Sequence, residues 1–429
     1  GDEGERFSQI LFNKTGATPT AASGTQEDSV TLQLADGSMV AAEAAGTTYP
    51  TAPTTEWLNT IITTPSASSA RVNGATFTLN GGVAIVGTTN GSYDGQVVQQ
   101  GFDTDGFIIK YAGNGARLWT RYLGTTARED LKSVISAPDG GMLAVGCTGG
   151  SIDGSPNNGG IDSLITKISA SGDRLWSQVL GTSSFDEATS IAPRVDGGFF
   201  VAGQTYGSLD GQLNKGSGDG YLSRFSPDGV RIWTKLIGGS NVDALSSVFS
   251  STNGYVAVGG YTYSNFDGQV DQGQTDGFIS LIDSSGATLW TRFLGTIYSD
   301  YINSVAITSD GGVIVVGSTE GNLDGLGFQG SPGAFAAKYD ANGSKLWTTL
   351  LGYQGGSSNA TSVMPTTDGG CILSGRGRIM TDPSGQTFIA SAYISKLDST
   401  GSIIWSQLIG DPSTDLVNCI TADGIGSIL

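Results

Sequence analysis

The chain of 429 residues contains no histidine. That absence removes Ser-His-Asp and Cys-His catalysis, His-ligated zinc or iron, and imidazole acid–base work. Cysteine is scarce: Cys147, Cys371 and Cys419 each lie in or beside an apolar strand-like run and are read as buried free thiols. A Cys371–Cys419 bridge is the alternative, and spacing does not choose between them. Three scattered thiols make no thiolate metal site. Basic residues are few, 21 Lys and Arg against 39 Asp and Glu for a net charge of −18, which argues against nucleic acid as a partner. No apolar run approaches the roughly 20 residues of a membrane-spanning helix, so no membrane span is expected. The start Gly1-Asp-Glu-Gly-Glu-Arg-Phe7 lacks the basic-then-apolar order of a signal peptide.

Glycine, by contrast, is abundant at 67 residues, and only 14% of the chain is charged, a composition of short strands joined by tight turns. The tryptophans set the frame. They stand at 57, 119, 176, 233, 290, 347 and 405, with successive spacings of 62, 57, 57, 57, 57 and 58. A fixed period of this length marks a repeat architecture. Each period holds one hairpin turning at Asn80-Gly81, Asp139-Gly140, Asp196-Gly197, Asn253-Gly254, Asp310-Gly311 or Asp368-Gly369. A second turns at sites such as Gly113-Asn114-Gly115 and runs into the Leu-Trp strand. Two hairpins give four antiparallel strands per repeat, the description of an all-β propeller blade. The Trp119 strand has no wholly polar face, as expected of a sheet covered on both sides, so Trp57, Trp119, Trp176, Trp233, Trp290, Trp347 and Trp405 are read as structural residues joining blade to blade.

Six complete blades are expected over 72–123, 130–180, 188–237, 245–294, 303–351 and 361–409. Residues 28–62, with a hairpin signal at Asp36-Gly37, and 415–429 look like the two halves of one more repeat. A seven-bladed ring closed by both termini is therefore expected, with six blades plus a separate N-terminal element as the alternative. The domain organisation expected is an N-terminal attachment arm, 1–27, and a single propeller, 28–429.

The recurring frame Asp300…Ser304-Val305-Ala306…Asp310-Gly-Gly-Val-Ile-Val-Val-Gly-Ser-Thr319, then Asp324-Gly325, then Ala336-Ala-Lys-Tyr-Asp-Ala-Asn-Gly-Ser-Lys-Leu-Trp347, resembles the bacterial β-propeller repeat family abbreviated SBBP. The resemblance covers about residues 56–429. It implies a propeller and a surface, secreted or multidomain bacterial setting, and it names no activity.

Carboxylates recur in register. Asp94, Asp153, Asp210, Asp267 and Asp324, each before a glycine, precede Asp105, Asp162, Asp219 and Asp276, and a third set is Asp130, Asp186, Asp243, Asp300 and Asp415. Repetition favours turn-forming roles, Asp before Gly bonding its own backbone. The same carboxylates beside glycine-rich loops are weak Ca²⁺ candidates, and no other cofactor is implied. Lys110, Lys167, Arg224, Lys338 and Lys396 share one position, with Leu281 in the fourth blade, and are expected to pair with a recurrent aspartate. Departures from the repeat point better to function: Tyr206, Tyr261, Tyr263, Phe266 and Tyr298 in loops, and Arg376 and Arg378 as the densest basic spot, are the candidate binding residues. These observations predict a non-catalytic scaffold, extracellular, at a cell surface or within a virion, meeting protein partners through its N-terminal arm. A carbohydrate-binding or carbohydrate-active propeller taking a glycan is the alternative.

Overall fold

The computed structural model describes residues 70–91, 104–326, 332–351, 357–380, 388–409 and 417–421, with the strands Ser8–Lys14, Val30–Gln33, Met39–Ala42, Thr54–Ile61 and Ser427–Ile428. It is an all-β propeller with six four-stranded antiparallel blades. Blade one comprises Ala70–Phe77, Val83–Thr89, Asp105–Tyr111 and Arg117–Leu123. Blades two to six repeat the pattern over 129–180, 186–237, 243–294, 300–350 and 358–409. The first strand of each blade packs against the first strand of the next, so these strands surround the axis.

Burial explains the sequence pattern within each blade. Third strands such as Asp105–Tyr111, Asp162–Ile168 and Asp276–Ile282 are buried at every position because both faces of the sheet are covered by neighbours. Fourth strands are only partly covered and leave Leu118 and Leu175 exposed. The tight turns follow from local chemistry: Asp139 accepts the Gly141 amide at 2.9 Å, and Gly140 adopts a φ of 79°, a conformation that glycine reaches without penalty.

Three repeated contacts join consecutive blades. The indole of Trp119 lies on Gly172 in the outer turn of the next blade and donates to the Ala170 carbonyl at 3.3 Å; Trp290 does the same with Gly343 and the Ala341 carbonyl at 2.9 Å. Nearer the axis every first strand carries a β-bulge, and in blades one, three and five the bulged residue reaches across to the backbone of the next blade. Asn73 donates to the Leu131 carbonyl at 2.8 Å, Thr189 to Leu245 at 2.7 Å and Asn303 to Ala360 at 2.8 Å. The serine that follows the bulge accepts a neighbouring amide, Val248 N–H to Ser190 and Val363 N–H to Ser304, each at 3.2 Å.

The expected seventh four-stranded blade is not formed. Val30–Gln33 and Met39–Ala42 pair only with each other, around the expected Asp36-Gly37 turn, as a two-stranded sheet. Thr54–Ile61 and Ser427–Ile428 instead flank Ser8–Lys14 in a three-stranded sheet. The reason lies in Ile10-Leu11-Phe12, an apolar run set opposite Asn59, Leu58 and Trp57, which takes the place next to the tryptophan strand. Segment 417–421 is hydrogen-bonded to both the sixth and the first blade: Thr361 donates to the Val417 carbonyl and Asn418 to the Val72 carbonyl, both at 2.7 Å. All three cysteines are free; burial pushes each thiol up to about 12, aided at Cys147 by the charges of Glu187 and Asp130.

Candidate functional site

The turn carboxylates face cations of their own blade. Asp153, Asp210 and Asp324, at φ values of 49°, 56° and 53°, pair with Arg174, Arg231 and Lys345 on the fourth strand. Asp267, whose blade has Thr288 in place of the cation, accepts the Thr291 hydroxyl at 2.8 Å. Asp94 and Asp415 lie outside the described residues. Among the described residues no group of three or more His, Cys, Asp or Glu side chains is placed to hold a metal ion.

The third carboxylate set needs one shift of register. Glu129, rather than Asp130, stands with Asp186, Asp243 and Asp300, each opposite a threonine: Thr148, Thr205, Thr262 and Thr319. Glu129 stands 10 residues after its tryptophan, as Asp186, Asp243 and Asp300 do, whereas Asp130 stands 11 after it and so, in a strand, on the other face. The repeated cation position behaves as expected where its partner is an aspartate. Lys167, Lys338 and Lys396 pair with Asp139, Asp310 and Asp368 at 2.9, 2.9 and 2.8 Å, and Arg224 with Asp196 at 3.5 Å. Lys110 donates to the Ala170 carbonyl at 3.2 Å.

Among the aromatic candidates, Phe266 is core, edge-on to Phe278 at 5.0 Å. Tyr206 stands edge-on to Phe185, and Tyr298 is an exposed loop residue. Tyr261 contacts both Tyr263, at 6.1 Å, and Tyr301, at 5.4 Å. Arg376 is exposed beside Asn359; the side chain of Arg378, like that of Trp57, is outside the described residues. Trp405 packs against Ile372, Ile394 and Ile420.

Tyr261, Tyr301 and Arg376 belong to a set that emerges only from the strand register. One residue in from the end of the first two strands, the ladder sets Arg71 opposite Thr88, Asp130 opposite Cys147 and Glu187 opposite Gln204. It continues with Ala244 opposite Tyr261, Tyr301 opposite Ser318 and Asn359 opposite Arg376. The pair differs in every blade. On its inner side the second strand carries glycine in all six blades, from Gly87 to Gly375, and on its outer side it carries threonine in five. These pairs ring the axis at the end of the sheets from which the long connections leave.

The ring is divided by charge. Asp130 and Glu187 flank Lys132, whose ammonium lies 2.7 Å from the first and 3.3 Å from the second. Burial opposes ionisation of Asp130, but Lys132, Thr88 and Arg128 outweigh it and hold the carboxyl below its usual range. Across the axis stands the tyrosine sector, where burial and then the neighbouring Tyr206, Tyr263 and Tyr301 push Tyr261 up to about 12. Arg376 and Arg71 form the third, basic sector, with Arg71 donating to Asn418 at 3.4 Å. Sequence reasoning found Tyr261 and Arg376 as isolated departures and missed the rest, because only the ladder shows that they share one position.

No family model matches the chain. It is 25% identical over 347 residues to a protein named regulatory protein FlaEY from Caulobacter vibrioides, matching 72% of this chain and 36% of that one, so the chain spans about a third of this curated relative. Among solved structures it aligns with the β-propeller domain of the trilobed protease from Pyrococcus furiosus at 12% identity, a TM-score of 0.38, and coverage of 80% of this chain and 99% of that chain. It also aligns with an apocarotenoid oxygenase from Synechocystis at 11% identity, a TM-score of 0.40, and coverage of 80% and 73%.

Proposed function

We propose that this chain is a non-catalytic binding scaffold, a propeller of SBBP-type repeats that presents the axial ring at its long-loop end to a protein partner. The observation that carries the reading is the ring itself: one position pair differs in all six blades while its neighbours on the second strand repeat, glycine in six and threonine in five. A residue that served only blade packing has no reason to vary there. Separate acidic, aromatic and basic sectors suit a partner segment that crosses the axis with complementary charge at its ends and an apolar centre. The buried, protonated thiol of Cys147 and the Lys132-bound carboxylates offer no nucleophile or base in the ring. Segment 417–421 clasps blade six to blade one and closes the ring. With a net charge of −18 the disc suits an exposed setting, at a cell surface or within an assembled particle.

The test is photo-crosslinking of the full chain in the cells that make it, with the reactive residue at Gln204 or Ser318 in the ring, or at Asp228 or Asp340 at the opposite, tight-turn end. A single protein adduct from the ring positions and none from the turn positions is expected. Adducts confined to the tight-turn end would refute the reading.

A further inference from the structure

Blade four departs from the repeat at three positions that meet in one place. Leu281 stands where the other five blades carry lysine or arginine. Asn253 replaces the aspartate that pairs with that cation in blades two, three, five and six. Tyr255 occupies a position that is glycine in every other blade, from Gly82 to Gly370. Elsewhere the cation plugs the gap between blades: Lys338 binds Asp310 in its own blade and the Gly369 carbonyl of the next at 3.1 Å, and Arg224 reaches the Ser284 carbonyl of the next at 3.3 Å. Blade four has no such plug. At its junction with blade five a cavity of about 660 Å³ opens at the tight-turn end, lined by Leu281, Tyr255, Asn253, Trp290, Thr308 and Asn342 among others.

We propose that this cavity is a binding site for a neutral, hydroxyl-rich ligand, a saccharide unit. Its volume lies within the roughly 300–1,000 Å³ range of small-molecule sites. Every lining residue is uncharged, in a place where four other blades hold an ion pair and in a protein of net charge −18. Among the lining residues, exposed Tyr255 and Leu289 offer an aromatic and an aliphatic wall that match the C–H face of a pyranose. Asn253 and Asn342 supply amides for its rim. The site is at the opposite end of the sheets from the axial ring, so neither proposal depends on the other.

The experiment titrates the full chain with cellobiose, maltose and N,N′-diacetylchitobiose as neutral probes and with glucuronic acid as a charged one, read by tryptophan emission and calorimetry. The same titrations use Leu281→Lys/Asn253→Asp, which installs the pair that other blades tolerate, and Tyr255→Gly, which restores their glycine. Saturable binding of at least one neutral disaccharide is expected, weakened about tenfold or more by the double variant and about threefold or more by Tyr255→Gly, without binding of glucuronic acid. No binding by the native chain at millimolar probe, binding unchanged in both variants, or equal binding of glucuronic acid would each overturn it.

Discussion

Asn418 donates its amide to the Val72 carbonyl at 2.7 Å, joining residues 346 positions apart. The bond has the same form as those of Asn73 to Leu131 and Asn303 to Ala360 between consecutive blades. Removing the amide leaves a partly buried carbonyl without this donor, at a cost of about 1–2 kcal/mol. Asn418→Ala should lower the urea midpoint, and Asn418→Thr should recover part of the loss, since Thr189 and Thr361 make the equivalent bond. An Asn418→Ala midpoint equal to that of the parent would show that segment 417–421 does not clasp the first blade.

Gly317 and Gly268 should respond very differently to alanine. A Cβ on Gly317 would lie 1.8 Å from the Tyr301 carbonyl oxygen, a backbone atom that moves only with the whole first strand. Gly268 has open space around it and only its φ of 74° to set against a side chain. Gly268→Ala is expected to cost about 1 kcal/mol. Gly317→Ala is expected to cost more than about 3 kcal/mol or to prevent folding. Thermal melts of the two variants, run side by side, decide it.

The scaffold was legible because its requirements recur: a glycine under the indoles of Trp119, Trp176, Trp233, Trp290 and Trp347, an Asx-Gly at each inner turn, a serine after the bulge in blades two to six. What was misread turns on a single-residue offset. Glu129 keeps the 10-residue spacing from Trp119 that Asp186, Asp243 and Asp300 keep from their tryptophans, but matching by residue type selects Asp130, one position on and on the opposite face of the strand. The pairing of Ser8–Lys14 with the Trp57 strand was hidden for another reason: a three-residue apolar run carries too little period to mark a strand, and long-range pairing alone decides its partner. Leu281 was visible as a departure, but the cavity beside it follows from which carbonyls the missing lysine would have reached.

The ion pair of Lys338 with Asp310 should show strong coupling. Lys338 is 2% exposed, and its ammonium binds Asp310 and the Gly369 carbonyl. Against burial, Thr308 and Lys338 hold the Asp310 carboxyl down at about 2. Asp310→Asn leaves a buried ammonium facing only neutral acceptors, and since Asp310 is half exposed the cost is set at about 1–3 kcal/mol. Asp310→Asn/Lys338→Leu copies the Asn253 and Leu281 of blade four and should be less destabilised than the sum of the two single variants. A strictly additive double-mutant cycle would refute the coupling.

Stability should rise on mild acidification, with Asp276 as the main cause. Its carboxylate is buried, Oδ2 accepts the Gln272 amide at 2.8 Å, and Oδ1 has no hydrogen-bond partner. Burial, then the charges of Asp271 and Asp300, push its pKa up to about 6. Asp271 is specific to this blade, since Asn157 and Asn214 hold the equivalent positions in blades two and three. The folded pKa therefore lies above the unfolded value of 3.8, so the folded state binds the proton more tightly. The resulting stabilisation is complete below the unfolded pKa and is lost as pH rises through about 6, an effect of at most about 3 kcal/mol. Asp162, Asp186, Asp219, Asp243 and Asp300 are shifted in the same direction, chiefly by burial, and add to the trend. Asp310 and Asp368, held at about 2, act oppositely and withdraw stability only as pH falls below the ordinary carboxylate range. Unfolding free energies measured between pH 7.5 and 4.5 should increase for the parent and increase less for Asp276→Asn. Equal slopes for the two proteins would show that Asp276 does not titrate in this window.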